Sequence, residues 1–307
     1  MKKTALFLAL ILSLGLVGCG TDSDNNGSDT SAELDAEPFS GEYVVNAEYV
    51  KENLDHVILV DARGEEAADK ETIKGAIPIA WQYLATCEDG VSGDANWGCI
   101  LDTDRLSERL GEKGLAQDKE IVLFAAAQDG WGDDGRIAWE LIAAGYDDVK
   151  MVDGGFNALK SAGLETDKGG ADPEEVTVKI DSIDSTHLIN TDELKENYDD
   201  YKIVDVRADE EYDGKTLYGE EKGGHLPGAI HIRYTDLFRE DGTLKSNADI
   251  TKMFEDAGLS KEDQIVTYCT AGIRSGYMEL ILEMCGFENA KNYDESYYRW
   301  CAVEEVE

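Results

Sequence analysis

Apolar residues along this chain fall into two alternating rhythms. The runs VILVDA (57–62), EIVLFA (120–125), VKMVD (149–153), KIVDV (202–206) and QIVTY (264–268) are short and rich in Val, Ile and Leu. That length and composition suit buried β-strands. Between them, RIAWELIAAG (136–145) and SGYMELILEMC, from Ser275 to Cys285, place apolar residues at helical spacing. Strand alternating with helix predicts an α/β fold whose mostly parallel sheets are flanked by helices.

The pattern occurs twice. The stretch Val45 to Arg63 (VNAEYVKENLDHVILVDAR) returns as Ile189 to Arg207 (INTDELKENYDDYKIVDVR), a constant offset of 144 residues. At the same offset GLAQDKEIVLF, starting at Gly114, becomes GLSKEDQIVTY, starting at Gly258, and Ala125 stands opposite Cys269. Two copies of one fold therefore differ where a strand ends and a loop begins, which predicts one working site and one scaffold copy. The domains expected are 39–168 and 185–307, joined through 169–184, a link marked by Gly169, Gly170 and Pro173.

The N-terminus reads as an address. Lys2 and Lys3 precede an apolar run from Ala5 to Val17, too short for a spanning helix, so residues 1–18 are expected to be a signal peptide. The run ends in Leu16-Val17-Gly18-Cys19, which resembles a bacterial lipoprotein box. It implies cleavage before Cys19, lipid on its thiol, and a body exported and anchored to the cell envelope by that lipid alone. Residues 19–38 are small, polar and acidic and are expected to be a flexible tether. Asp22, Asp24, Asn26, Gly27 and Glu33 formally match a calcium loop, but the entering helix would be the anchor itself, so no metal is expected there.

Charge narrows the partners. The formal net charge is −38, and loss of Lys2 and Lys3 with the signal makes it −40. Such a surface repels nucleic acid and anionic lipid, and an anionic substrate needs a local basic pocket to overcome it.

The segment after QIVTY carries the candidate chemistry: Cys269, Thr270, Ala271, Gly272, Ile273, Arg274 and Ser275 lead from strand into helix. Such a crossing aims backbone N–H groups and the positive helix end at the loop's centre, which favours a thiolate nucleophile at Cys269. Gly272 lets the backbone curl, and Arg274 supplies a fixed charge for an anion. With Cys19 lipidated and Cys269 free, four cysteines remain for an oxidising compartment. Cys87 and Cys99 bracket an insertion absent from the second copy and are expected to form a disulfide. Cys285 and Cys301 are a second candidate pair, with two buried thiols as the alternative.

Tyrosine phosphatases use C-x5-R, whereas four residues separate Cys269 from Arg274. The C-x4-R loop, IVDVR ending at Arg207, GGHLPGAI from Gly223, YDESYYRW from Tyr293, and the first-copy VDAR and VDGGFNALKSAG resemble the tandem rhodanese sulfurtransferases over nearly the whole chain from about Tyr43. That resemblance implies sulfur transfer without a cofactor. Cys269 takes the outer sulfur of thiosulfate or another sulfane donor as a persulfide and yields it to a thiol or cyanide. Arg274 orients the donor, Asp205 and Arg207 brace the loop by ion pairing, and His225 is a turn residue rather than a base. Lys215, Lys222, Arg233 and Arg239 are candidate supporting cations. Where animal-type relatives carry an arginine, this chain has Glu211, so a substrate contact is missing or supplied elsewhere. CTAGIR also lacks the CGSGVT-like sequence of 3-mercaptopyruvate enzymes, which points to thiosulfate. The alternatives are 3-mercaptopyruvate as donor, a persulfide carrier serving a protein partner, and a silent tethered binding module.

The first copy's loop, AAAQDGWGDDG, has no cysteine and is three residues longer. Gly130, Gly132 and Gly135 with Asp153 formally match a dinucleotide fingerprint, but Asp129, Asp133 and Asp134 stand where pyrophosphate would bind. The reading adopted is a glycine-rich loop packed at the domain interface.

Overall fold

The computed structural model describes residues 37–307. Cys19, the signal, nearly all of the tether and the calcium-loop pattern lie outside the described residues. Among the described residues no helix is long and apolar enough to cross a membrane.

The first repeat contains β1 (Val44–Val45), α1 (Ala47–Asn53), β2 (Ile58–Asp61), α2 (Glu65–Ala68), β3 (Thr72–Ile73), β4 (Ile77–Pro78) and α3 (Thr103–Glu112). It continues with β5 (Ile121–Phe124), α4 (Asp133–Ala143), β6 (Val149–Val152), α5 (Gly155–Ser161) and β7 (Thr166–Asp167). The second contains β8 (Leu188–Ile189), α6 (Thr191–Glu196), β9 (Lys202–Asp205), α7 (Asp209–Tyr212), β10 (Ile230–His231) and α8 (Asn247–Asp256). It ends with β11 (Ile265–Tyr268), α9 (Ile273–Met284), β12 (Ala290–Tyr293) and α10 (Ser296–Val303). The two main sheets have matching orders, β1-β6-β5-β2-β4 and β8-β12-β11-β9-β10, and all their strands pair in parallel. Local chemistry repeats as well. Asn46 and Asn190, counterpart positions, cap α1 and α6 by accepting from the N–H of Tyr49 and Glu193. One difference is the antiparallel pair β3–β7, by which Thr72 and Ile73 tie the end of the first repeat to its own body.

Strand alternation sorts the core into three clusters. Val60, Ile121, Leu123 and Met151 of the first sheet and Val204 and Ile265 of the second face one shared core that also takes in residues of α4 and α9. Leu59, Val122 and Phe124 face a separate outer cluster, and Ile203, Val266 and Tyr268 face another. The linker adds to the shared core. Val178 and Ile180 are buried in it, and Val176 N–H and Ile180 N–H bond to the Gly111 carbonyl and Ser107 Oγ of α3.

The same alternation corrects one cysteine expectation. Cys285 belongs to the shared core and Cys301 to the outer cluster of the second repeat, on opposite faces of one sheet, and both are free thiols. Cys87 and Cys99 are also free. Their insertion is closed instead by hydrogen bonds, with Thr86 N–H to the Cys99 carbonyl at 2.9 Å, Cys99 N–H to Thr86 Oγ1 at 3.0 Å, and Trp97 Nε1 to the Cys87 carbonyl at 3.2 Å. Burial pushes the Cys87 thiol up to about 11 and raises Cys99 further.

The repeats meet where α4 crosses α9, at the counterpart glycines 135 and 276. A Cβ on Gly135 would lie 2.7 Å from Tyr277 Cα and 2.6 Å from its Cβ, so the helices approach through backbone. Alanine in a helix interior is worth about 0.5–1 kcal/mol over glycine. Here the overlap wins, because overpacking costs about 1–3 kcal/mol and a backbone atom cannot rotate away. Gly135→Ala is expected to lower unfolding stability by about 1–2 kcal/mol in urea denaturation; unchanged or increased stability contradicts this packing.

Candidate active site

Strand β11 ends at Tyr268 and α9 begins at Ile273, leaving Cys269, Thr270, Ala271 and Gly272 as the crossing. Gly272 has φ +80°, and a Cβ there would lie 2.6 Å from both Arg136 Nη1 and the Asp294 carbonyl oxygen, so both conformation and space require glycine. The first turn of α10 fixes the loop from behind. Cys269 N–H donates to Ser296 Oγ at 2.8 Å, the Ser296 hydroxyl donates to the Cys269 carbonyl at 3.0 Å, and Tyr298 N–H reaches the Thr270 carbonyl at 3.1 Å. From the first repeat, Arg136 donates to the Gly272 carbonyl at 3.1 Å and also pairs with Asp294.

Cys269 is 1% exposed. Burial opposes ionisation, but the Arg274 guanidinium and the N–H groups of Ser275 and Ala271 outweigh it and hold the thiol below its ordinary range. Ser275 Oγ is buried without a hydrogen-bond partner, free to donate to a charged sulfur. Arg274 is itself engaged: Nη1 donates to Glu211 Oε2 at 2.7 Å, and Nη2 donates to Glu211 Oε1 at 2.8 Å and to Thr270 Oγ1 at 2.9 Å. Thr270 donates in turn to Glu211 Oε1 at 2.6 Å. Glu211 is fully buried; desolvation works against its charge, and Arg274 prevails and lowers its pKa.

Asp205 and Arg207 stand behind the loop. Arg207 Nη2 meets Asp205 Oδ2 at 2.6 Å and the Gly224 carbonyl at 2.7 Å, and its guanidinium lies 3.9 Å from the Tyr297 ring centroid. The Tyr268 hydroxyl also donates to Asp205. His225 is a local structural element, with Nδ1 3.1 Å from the Tyr212 carbonyl and its ring stacked on Tyr212 at 3.8 Å.

A cavity of about 330 Å³ opens on Cys269, Thr270, Ala271, Ile273 and Arg274. Its walls are aromatic. Trp81, Trp97 and Trp131 come from the first repeat, and Tyr218 and Tyr298 from the second. Trp131 meets Tyr218 edge-on at 5.2 Å, Trp97 meets Tyr298 at 5.5 Å, and the Arg274 guanidinium lies 4.9 Å from the Trp131 centroid. Gln82 and Asp133 are the other polar lining groups, and burial pushes the Asp133 carboxyl up to about 6. At the counterpart of Cys269, Ala125 is fully buried, its carbonyl accepts from Phe156 N–H, and Gly155 packs directly on that oxygen.

Several sequence expectations are redrawn. None of the four supporting cations lines the Cys269 cavity. Lys215 pairs with Glu210, Lys222 with the Glu304 carbonyl and Arg239 with the Glu37 carbonyl, while Arg233 is held by Asp209 and Asp236 beside a neighbouring cavity. In so acidic a chain, basic side chains find carboxylates close by. Glu211 is not a vacant contact but the partner of Arg274. The fingerprint glycines serve packing: Gly132, at φ +75°, and Gly135 abut Tyr277, filling the approach a pyrophosphate would need. Asp153 accepts from Leu244 N–H at 2.7 Å. His187, Glu279 and Glu283 bring metal-type ligand atoms within 4.8 Å of one another farther along α9, outside this cavity, with His187 paired to Glu279 at 2.7 Å.

Sequence reasoning missed the aromatic walls and Arg136. The insertion carrying Trp97 stood out only as a length difference, yet it docks on the second repeat through Asn96 N–H to Glu295 and Ile100 N–H to Asp294, both 2.9 Å.

Residues 46–162 and 190–303 each match the rhodanese-like domain. A Mycobacterium leprae (strain TN) protein named putative thiosulfate sulfurtransferase is 28% identical over 265 residues, covering 83% of this chain and 92% of that one. A Haloferax volcanii protein of the same name is 25% identical over 279 residues, covering 85% and 94%. Among solved structures, wild-type EanB aligns with a TM-score of 0.74 at 20% identity, covering 87% of this chain and 69% of that one. The anaerobic ergothioneine biosynthesis enzyme from Chlorobium limicola, in complex with trimethyl histidine, aligns with a TM-score of 0.74 at 21% identity, covering 84% and 68%. These structural likenesses speak to the fold. The domain match over both repeats, on two sheets of one strand order, makes this chain a member of the rhodanese family with two rhodanese-like domains in tandem.

Proposed function

We propose that this protein transfers sulfane sulfur through a persulfide on Cys269. The observation that carries the reading is a thiol held below its ordinary pKa at the floor of a cavity, beside Arg274 and the Ala271 and Ser275 N–H groups. The thiolate attacks the outer sulfur of the donor. With thiosulfate, the donor named in the relatives above, the S–S bond breaks and its electron pair leaves with sulfite. The outer sulfur stays on Cys269 as a persulfide anion. Cyanide or a thiolate then attacks that sulfur, and the electron pair of the Cys269 S–S bond returns to Sγ. Each step is a displacement at sulfur, and the N–H groups remain in place for charge on either sulfur.

Thiosulfate brings a sulfonate that must compete with Glu211 for Arg274, so weak apparent binding of this donor is expected. The same reading keeps the body outside the cytoplasm on a lipid at Cys19, supported by the LVGC sequence.

Thiocyanate is expected to form from thiosulfate and cyanide, and Cys269→Ser to lower the rate by on the order of 10³-fold or more; a serine variant that keeps the rate refutes Cys269 as nucleophile. Iodoacetamide alkylation of Cys269 against pH shows a midpoint below the ~8.5 of a free thiol. Arg274→Met moves that midpoint upward, since it removes the favourable charge and leaves Glu211 beside the sulfur; an unmoved midpoint rejects the assignment. Cys19→Ser shifts the protein from the membrane to the soluble fraction; membrane retention counts against the lipid anchor.

A further inference from the structure

The charges around Cys269 differ from those of a pocket built for a dianion. Among the described residues Arg274 is the one basic side chain lining the cavity, and its two terminal nitrogens are held by Glu211 and Thr270 while Trp131 covers it. The formal charge of Arg274 is thus matched by the Glu211 carboxylate, while the guanidinium still favours the Cys269 thiolate at close range. Asp133 is the remaining carboxylate in the lining, and with its carboxyl pushed up only to about 6 it stays largely ionised at neutral pH. The sulfur of Cys269 adds a second negative charge, as thiolate or as persulfide. Around these groups stand five aromatic rings, and an aromatic face attracts a cation. The formal charge of −38 acts in the same direction from outside.

We propose that the acceptor at this site is a cationic thiol, an ammonium-bearing sulfur compound, and that Glu211 is the residue that sets this preference by occupying Arg274. The inference rests on the persulfide reading above and names its acceptor class. The ammonium group enters between the aromatic walls on the Asp133 side, and the acceptor's thiolate attacks the outer sulfur of the Cys269 persulfide. The bond from that sulfur to Sγ breaks, and its electron pair remains on Cys269. The acceptor departs as its own persulfide anion with the ammonium attached, and no external oxidant or reductant is consumed.

The test is single-turnover discharge. The full protein is loaded with sulfur by inorganic polysulfide, and loading is verified by the mass of the Cys269 peptide. It is then mixed with thiocholine, 2-mercaptoethanol or mercaptoacetate. Each rate is divided by that thiol's rate with a small organic persulfide in solution, which removes intrinsic thiol reactivity. The corrected rate is expected to be at least about tenfold higher for thiocholine than for mercaptoacetate, as one uncompensated charge in a partly desolvated site dictates. A preference should survive ~1 M salt, where the ~3 Å Debye length removes the outer field. Glu211→Gln, which frees Arg274, should lower the thiocholine-to-mercaptoacetate ratio by at least about fivefold. Asp133→Asn, which leaves the Arg274 pair intact, should lower it as well and provides the test if the buried Glu211 variant does not fold. A loaded protein with equal corrected rates, or a ratio that neither variant moves, overturns the acceptor class while leaving the persulfide reading intact. Failure of Cys269 to load overturns the persulfide reading itself.

Discussion

Arg136 is fully buried, and from α4 it bonds Glu140 on its own helix, Asp294 after β12, and the carbonyls of Gly98 and Gly272. One guanidinium thus joins the first repeat, the inserted segment, the Cys269 loop and the segment leading into α10. Burial pushes the Glu140 and Asp294 carboxyls up, and the Arg136 guanidinium pulls both back down. Removing one member of such a buried cluster leaves an uncompensated charge, typically a loss of about 3–5 kcal/mol. This explains why the repeat that has Ala125 where the other has Cys269 is structurally indispensable to the site. Its α4 supplies Asp133 and the strut behind Gly272, and the segments before α4 supply Trp81, Trp97 and Trp131. The cavity is a product of both copies.

In front of that strut, the local field divides between dipoles and charges. Arg274 and the loop N–H groups both act on the Cys269 sulfur, and the formal charge of Arg274 is matched by Glu211. The thiolate is therefore favoured by the closeness of Arg274 and of the N–H groups to the sulfur rather than by a surplus of net positive charge. Such a site can ionise its cysteine inside a strongly acidic protein without an open basic patch on its surface. Glu211 also accepts from Ala208 N–H at 3.0 Å, so the carboxylate that balances Arg274 simultaneously caps α7 and is rigidly placed.

Much of the fold was legible because its signals are local and duplicated. The runs KIVDV and QIVTY became β9 and β11, and the helical spacing from Ser275 became α9, which starts two residues earlier because Ile273 follows the left-handed Gly272 directly. The Ala125/Cys269 asymmetry located the loop. Pairings across the fold were not legible. Glu211 read as a lost contact because a motif compares letters at one position, whereas its role comes from Arg274, 63 residues away. The cavity walls come from residues 81, 97, 131, 218 and 298, which no spacing rule connects. Of the two readings for Cys285 and Cys301, sheet geometry favours two buried thiols: Cys285 ends α9 and Cys301 lies within α10, and they join core clusters on opposite faces. The supporting cations were placed by nearness to the motifs in sequence, whereas the fold holds Lys215 and Arg233 on carboxylates and Lys222 and Arg239 on backbone carbonyls.

The most direct test of the account is the mass of each cysteine-containing peptide after the protein is incubated with thiosulfate or polysulfide and excess donor is removed. One added sulfur atom on the Cys269 peptide, released as thiocyanate by cyanide, is the predicted result. Sulfur carried instead by the peptides of Cys87, Cys99, Cys285 or Cys301, or by none of them, would contradict it.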